Sequence, residues 1–304
     1  MGKCSGKFGL VSVPALQTHP LPEFHAALAI EAASGFFGAM FKWRKEIRRG
    51  MTGAVAGCLL IAGCTTVPVT GRRQFNFMPE GQEMQLGLTE FEKMKKDVPI
   101  SKDPRANAMV RRVGERIAKV AGPDMPNAQW EFVVFESKEA NAFCLPGGKV
   151  GVYTGILPIT KDEAGLATVL GHEVAHAVAR HGGERISAAM GIQALGLGVQ
   201  TASRNSKYAA LINQGYGMGS QLVVALPHSR MNESEADEIG LQYMARAGYK
   251  PEAAIEFWQR FGDYNRAKGG DTAWFLRTHP TDQQRVENLR RLLPKAQSVY
   301  HPQP

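Results

Sequence analysis

The sequence predicts an α+β domain, mostly helical, with a small β-sheet or hairpin beside one central helix. Three observations carry that prediction. The 304 residues are 44% hydrophobic and 21% charged, a globular balance and not a disordered one. From residue 79 onward, apolar residues recur at helical spacing through most of the chain. Between 130 and 154 the pattern changes, and short aromatic and β-branched runs alternate with turn residues. At this length one large domain, or two small ones, can bury a core.

The N-terminal region stands apart. Lys42, Arg44, Lys45, Arg48 and Arg49 form a basic cluster, and Met51 to Gly63 follows without a charge. That run is too short to span a bilayer as a helix, but it fits the apolar core of an export signal. It ends in Ile61-Ala62-Gly63-Cys64, which resembles a lipobox, the site at which a bacterial lipoprotein is cleaved and acylated. Residues 40–63 are therefore expected to be a lipoprotein signal peptide, with Cys64 as the lipidated residue. Residues 1–39 are expected to be an over-extended N-terminus ahead of a start at Met40. A second box at Val55 to Cys58 has too short an apolar lead-in, and Arg48-Arg49 lacks the context of a twin-arginine signal.

Much of the net charge of +8 lies in that segment. What remains has no basic stripe interleaved with aromatics, so nucleic acid is not an expected partner. Of four cysteines, only Cys64 and Cys144 follow the cleavage point. With Cys64 acylated, no intramolecular disulfide is expected.

The later elements follow in order. Residues 64–78 read as a polar, Pro-containing tether. Pro79 to Met94 has helical spacing, with Met84, Leu88 and Phe91 on one side. Asp103-Pro104 opens the next helix, and Met109, Val110, Val113, Ile117 and Val120 form its apolar stripe up to Gly122-Pro123. Trp130 to Phe135 reads as a strand. Asn141 to Leu145 and Lys149 to Thr154 read as a hairpin about Pro146-Gly147-Gly148. Asp162 starts the central helix, which Leu166, Val169, Leu170, Val174, Ala177 and Val178 bury. Gly182-Gly183 are expected to end it. Residues 186–226 are rich in Gly and Ala and read as a mobile cover over a cleft. A membrane span is the alternative there, weakened by Gln193, Gln200, Arg204 and Lys207. Helices are expected over Asn232 to Arg246, from Pro251 with Ile255 and Trp258 inward, and over Pro280 to Leu293. The domain is placed at 79–296 and a tail at 297–304.

The central helix carries His172-Glu173-Val174-Ala175-His176. Residues four apart lie one above the other on a helix, so both imidazoles can reach one Zn²⁺. Glu173, beside the first ligand, can then serve as general base on a water held there. A tetrahedral catalytic site needs a third protein ligand. Glu233 in Glu233-Ser234-Glu235-Ala236-Asp237 is the candidate. Asp237, one turn on, can accept the remaining N–H of a ligand histidine. Glu235 lies about 200° around the helix and is expected to point elsewhere. The competing reading of this acidic patch is a solvated helix N-terminus. His181 reads as a histidine near a helix C-terminus. His279, fixed ahead of Pro280, can donate to an oxyanion.

Four blocks together resemble peptidase family M48, the gluzincin metallopeptidases, and the lipobox further resembles its lipoprotein branch. They are Asn141-Ala142-Phe143-Cys144-Leu145-Pro146-Gly147-Gly148, the 172–176 motif with His181, Ser229-Arg230 leading into Glu233-x-x-Ala236-Asp237, and His279-Pro280 with Arg285. They span about residues 80–293. Cys144 stands where the family more usually has a small residue. The resemblance implies a zincin-like fold and one zinc per chain, held by His172, His176 and Glu233 with Asp237 behind them. It implies Glu173 as the base and His279 as either transition-state helper or resting ligand. Arg285 would brace the site by a salt bridge, and Asn141, Ala142 and Phe143 would form an edge strand that pairs with substrate. The implied activity is that of a zinc metalloendopeptidase acting on extended or misfolded envelope proteins. It would be lipid-anchored on the periplasmic face of a bacterial membrane. Thr65, not Asp, follows Cys64, which points to the outer membrane. A chaperone-like assembly factor with latent proteolysis, working with envelope assembly machinery, is the alternative. A structural zinc protein without turnover is a third reading.

Overall fold

The computed structural model of the protein describes residues 64–188, 190–191, 229–268, 279 and 283–302. The expected signal segment and most of the expected cover lie outside them. The chain opens with a hairpin of β1 (Cys64–Thr66) and β2 (Arg73–Phe75). Helices α1 (Glu80–Asp97) and α2 (Pro104–Ala121) follow, then strands β3 (Glu131–Phe135), β4 (Ala142–Leu145) and β5 (Lys149–Tyr153). After a short α3 (Leu157–Thr160) come the motif helix α4 (Glu163–Val178), then α5 (Arg230–Arg246), α6 (Ala253–Ala267) and α7 (Gln283–Gln297). A further helical stretch covers 181–188. This is the expected α+β, zincin-like arrangement. Among the described residues no helix is long and apolar enough to cross a membrane.

Local chemistry starts the helices where the sequence places them. Asp103 accepts from the Arg105 amide ahead of Pro104, and Asp162 accepts from the Gly165 amide. Each satisfies one of the amides that a helix start leaves unpaired. Val110, Val113 and Ile117 then bury one face of α2. Gly114 lets that face lie flat on β3, since a Cβ there would stand 2.4 Å from the Phe132 ring.

The three-stranded sheet has the order β3-β5-β4, with β3 parallel and β4 antiparallel to β5. The expected hairpin is present. Gly147 and Gly148 turn it at φ +86° and +81°, a region that favours glycine. Alternation assigns the two faces. Phe143 joins Phe91, Phe135 and Tyr153 in a ring cluster on one face. Ala142, Val150 and Val152 enter the main core on the other, with Leu166, Val169 and Val174 of α4.

Helices α4 and α5 approach each other closely in the core. A Cβ on Gly240 would stand 2.8 Å from the Gly171 backbone, and one on Gly171 would stand 2.8 Å from the Gly240 carbonyl. The two helices cross with backbone against backbone, and His172 follows directly on that contact.

Four expectations need correction. The motif helix ends at Val178, not at Gly182-Gly183. Arg180 takes φ +54° and reverses the chain, and Glu83 and the Met78 carbonyl hold its guanidinium. Gly183 instead makes room for Glu83, whose carboxylate a Cβ there would overlap. The buried face of α1 is Glu83, Gly87 and Phe91, not Met84, Leu88 and Phe91, because Glu83 faces Arg180 and Gly87 packs on Pro146. Residues 64–78 are not a free tether. Val67 is 1% exposed in the core, and Gln74 and Asn76 are buried. The expected tail begins inside α7, and Val299 and Tyr300 pack on the core.

The α4–α5 crossing yields a first prediction. Gly240→Ala should destabilise the fold by about 1–3 kcal/mol through overpacking and reduce bound metal. Thermal melting and metal content would check this, and an unchanged melt with full metal content would refute the backbone-contact account.

Candidate metal centre

His172 and His176 lie one turn apart on α4, edge to face with ring centroids 4.6 Å apart and their Nε2 atoms 3.1 Å apart. Glu233, in the first turn of α5, brings Oε2 to 3.4 Å from His172 Nε2 and Oε1 to 3.3 Å from His176 Nε2. His279 adds Nδ1 at 3.2 Å from His172 Nε2 and 2.9 Å from Glu233 Oε1. All four side chains are buried, and their ligand atoms lie within 4.8 Å of one another. With zinc bonds of about 2.0–2.1 Å, the corners of a tetrahedron stand about 3.3 Å apart. The observed separations match that size. Imidazole and carboxylate are also donors that zinc takes. Lone pairs aimed at one another this closely need a cation or protons among them. The residues therefore fit a zinc ion.

Glu173 sits beside the cluster. It is 4% exposed, and its Oε1 has no hydrogen-bond partner among the described residues. That atom lies 3.6 Å from His279 Nε2. Burial raises its pKa above the usual carboxylate range, against the pull of the neighbouring histidines.

A second layer fixes the ligands. Asp237 Oδ1 accepts from His172 Nδ1 at 3.0 Å. The Arg285 guanidinium, from α7, donates to Asp237 at 2.6 Å and to Glu233 at 3.0 Å. It lies over the Trp258 ring, 3.4 Å from the centroid. Arg285 thus sits where a bracing salt bridge was expected. Burial and the Arg285 charge lower the His172 pKa, but Asp237 and Glu233 outweigh them and raise it to about 9. Burial opposes ionisation of Glu233 as well, yet the surrounding imidazoles hold it well below the usual range.

His176 is fixed differently, by residues whose part the sequence did not reveal. Its Nδ1 meets His181 Nδ1 at 2.8 Å, and His181 Nε2 meets Glu235 Oε2 at 2.9 Å. Glu235 does point away from the ligand cluster, but onto His181. Burial would raise its pKa, but His181, Thr70 and Arg72 bring it down to about 2. The five-residue spacing from His176 gave no hint of this, because the Arg180 reversal is what returns His181 to the site. Trp258 was expected only as an inward-facing core residue.

The edge-strand residues divide. β4 is an edge of the sheet, and Ala142 pairs with Val152. The Tyr153 amide donates to the Asn141 carbonyl. By antiparallel alternation, Asn141 and Phe143 bond inward to β5, while Ala142 and Cys144 turn their backbone groups outward. The Asn141 side chain is buried, and its Oδ1 has no partner among the described residues. Cys64 is exposed at the start of β1.

Comparison with known proteins agrees with this site. The model for Peptidase family M48 matches residues 104–293, from the start of α2 into α7. The mitochondrial metalloendopeptidase OMA1 of Saccharomyces cerevisiae is 31% identical over 265 residues, covering 80% of this chain and 75% of that protein. The OMA1 of Schizosaccharomyces pombe is 35% identical, covering 76% and 67%. The beta-barrel assembly-enhancing protease of Escherichia coli is 27% identical, covering 74% of this chain and 46% of its own. A match over most of the described domain, metal-binding group included, shows that this chain belongs to peptidase family M48 and is a metalloendopeptidase that uses zinc.

Proposed function

We propose that this chain is a lipid-anchored endopeptidase of the bacterial envelope that cleaves extended or misfolded proteins, with Glu173 as its base. The observation that carries the catalytic part is the convergence of His172, His176, Glu233 and His279, with the buried Glu173 carboxylate beside them, its Oε1 3.6 Å from His279 Nε2. Zinc bound there supplies a Lewis acid that polarises the scissile carbonyl and acidifies water. Glu173 takes a proton from the attacking water and delivers it to the leaving amine nitrogen. Its burial keeps that carboxylate basic enough for both transfers. Asp237 and Arg285 hold His172 and Glu233 in place.

His279 occupies the fourth corner of the cluster through Nδ1. If it swings away, that corner opens to solvent, and its imidazole becomes free to donate to the oxyanion of the scissile carbonyl. The same closed arrangement favours a second reading, a chaperone-like envelope factor whose proteolysis is latent until His279 moves.

An extended substrate suits the outer edge of β4, which pairs with no further strand among the described residues. The outward backbone groups of Ala142 and Cys144 can pair with it, while Asn141 and Phe143 stay with β5. Such pairing excludes folded clients and admits misfolded ones. The anchor rests on the lipobox-like Ile61 to Cys64 and on Cys64 being exposed. The relatives named above include mitochondrial enzymes and one bacterial protease named for beta-barrel assembly. The lipobox favours the bacterial envelope, and Thr65 favours the outer membrane.

Three outcomes are expected. Glu173→Gln should retain one zinc per chain and lower casein cleavage by at least about 10²-fold. Wild-type turnover in that variant would remove Glu173 from its role. In the metal-free chain His172 keeps its proton below about pH 9, and a ligand histidine must lose it. Zinc affinity should therefore rise with pH up to about 9, with proton release visible by calorimetry in buffers of different ionisation enthalpy. Equal affinity at pH 6.5 and 8.5 would contradict this. Cys64→Ala should move the protein from the membrane to the soluble fraction; continued sedimentation with membranes would rule out the acyl anchor.

A further inference from the structure

The two ligand histidines of α4 both lead back to carboxylates of α5, by routes of different length. His172 reaches Asp237 directly, at 3.0 Å. His176 reaches Glu235 through His181, with contacts of 2.8 and 2.9 Å. His181 is 0% exposed. With His176 Nε2 turned to the ligand cluster, its Nδ1 carries the proton and donates to His181 Nδ1. His181 then carries its own proton on Nε2 and donates to Glu235. One arrangement of protons satisfies the whole line, so Glu235 fixes the tautomer and ring plane of His176 at second hand.

The line does not stop at α5. Glu235 accepts from Thr70 Oγ1 and from Arg72 Nε, the latter at 2.7 Å. Both residues belong to the turn and second strand side of the hairpin that begins at Cys64. Arg72 also grips Glu184 with both terminal nitrogens, at 2.8 and 2.9 Å. Glu184 in turn accepts from Asn232, the neighbour of Glu233, at 3.2 Å. From the same hairpin, Gln74 donates to the Ala179 carbonyl at the end of α4. The hairpin therefore touches the site at the end of the motif helix, at the carboxylate behind His181, and next to the ligand glutamate.

We infer that Arg72 and Thr70, with Glu235 and His181, are positioning residues of the metal centre: the N-terminal hairpin orients His176 for metal through a line of four side chains. This rests on the reading of His176 as a zinc ligand. The segment that would carry the lipid anchor is on this account also a structural part of the active site. Thr70 and Arg72 are spent on that line, so this part of 64–78 does not serve as a spacer.

The test uses the full chain with zinc and with Co²⁺ as a spectroscopic probe. Zinc affinity is read by chelator competition, ligand geometry by the visible absorption of the Co²⁺ form, and turnover as separate kcat and KM. Glu235→Gln and His181→Phe should weaken zinc binding by about 10–100-fold and alter the Co²⁺ spectrum. Arg72→Met should do the same to a smaller degree, and Arg72→Lys should recover part of the loss. In each, kcat should fall and KM hold. Val110→Ala, in the core of α2, serves as the control for lost stability. It should lower the melting temperature while leaving zinc affinity and the Co²⁺ spectrum as in wild type. Variants at Glu235 and His181 with wild-type affinity and spectrum would overturn the inference. Loss at Glu235 with none at Arg72 would overturn the hairpin's part in it. An otherwise unaltered chain that still binds zinc normally after His176→Ala would overturn the underlying reading instead, which keeps the two failures apart.

Discussion

The contact between Gly171 and Gly240 is the constraint on which the rest of the molecule depends. Two helices far apart in sequence can bring their backbones this close only where neither carries a Cβ. His172 and His176 lie on one side of that contact along α4. Glu233 and Asp237 lie within two turns of it along α5. The crossing thereby sets the distance between the imidazole pair and the carboxylates. A wider crossing would leave the same residues in the sequence and no group of ligand atoms within reach of one ion.

That geometry buries an unusual density of charge. Glu233, Asp237, Arg285 and the imidazoles of His172, His176 and His279 are all nearly inaccessible to water. Removing such groups from solvent costs several kcal/mol each unless every one finds partners. Here they do. Arg285 bridges both carboxylates and stacks on Trp258, and Asp237 meets His172. Glu173 is held more loosely: its buried Oε1 accepts no hydrogen bond among the described residues and meets His279 Nε2 at 3.6 Å. Burial raises its affinity for a proton above that of an exposed carboxylate, as a group that must take a proton and then pass it on requires.

Much of this was legible in the sequence. The stripe of α2, its Asp103-Pro104 start, the Asp162 start of α4 and the 141–154 hairpin all follow from short-range patterns, and short-range patterns are what sequence carries most openly. His172, Glu173 and His176 were legible because helical periodicity alone puts them on one face. Glu233 and Asp237 were legible as a pair one turn apart, though their approach to α4 depends on the glycine crossing. What stayed hidden depends on contacts across the fold. The end of α4 was misplaced because Arg180, a non-glycine in a left-handed conformation, breaks the helix with help from Glu83, almost a hundred residues away. The docked hairpin was read as a tether because its polar residues find buried partners on elements that no local pattern connects to them. His181 and Glu235 were missed for both reasons together.

The central claim is that side chains from α4, α5 and the segment at His279 share one zinc ion. Zinc K-edge X-ray absorption of the purified, zinc-loaded chain addresses it most directly. The account predicts a shell of nitrogen and oxygen alone at about 2.0–2.1 Å, with the outer-shell signature of imidazole rings. Sulfur at about 2.3 Å, or an oxygen-only shell without imidazole scattering, would contradict it.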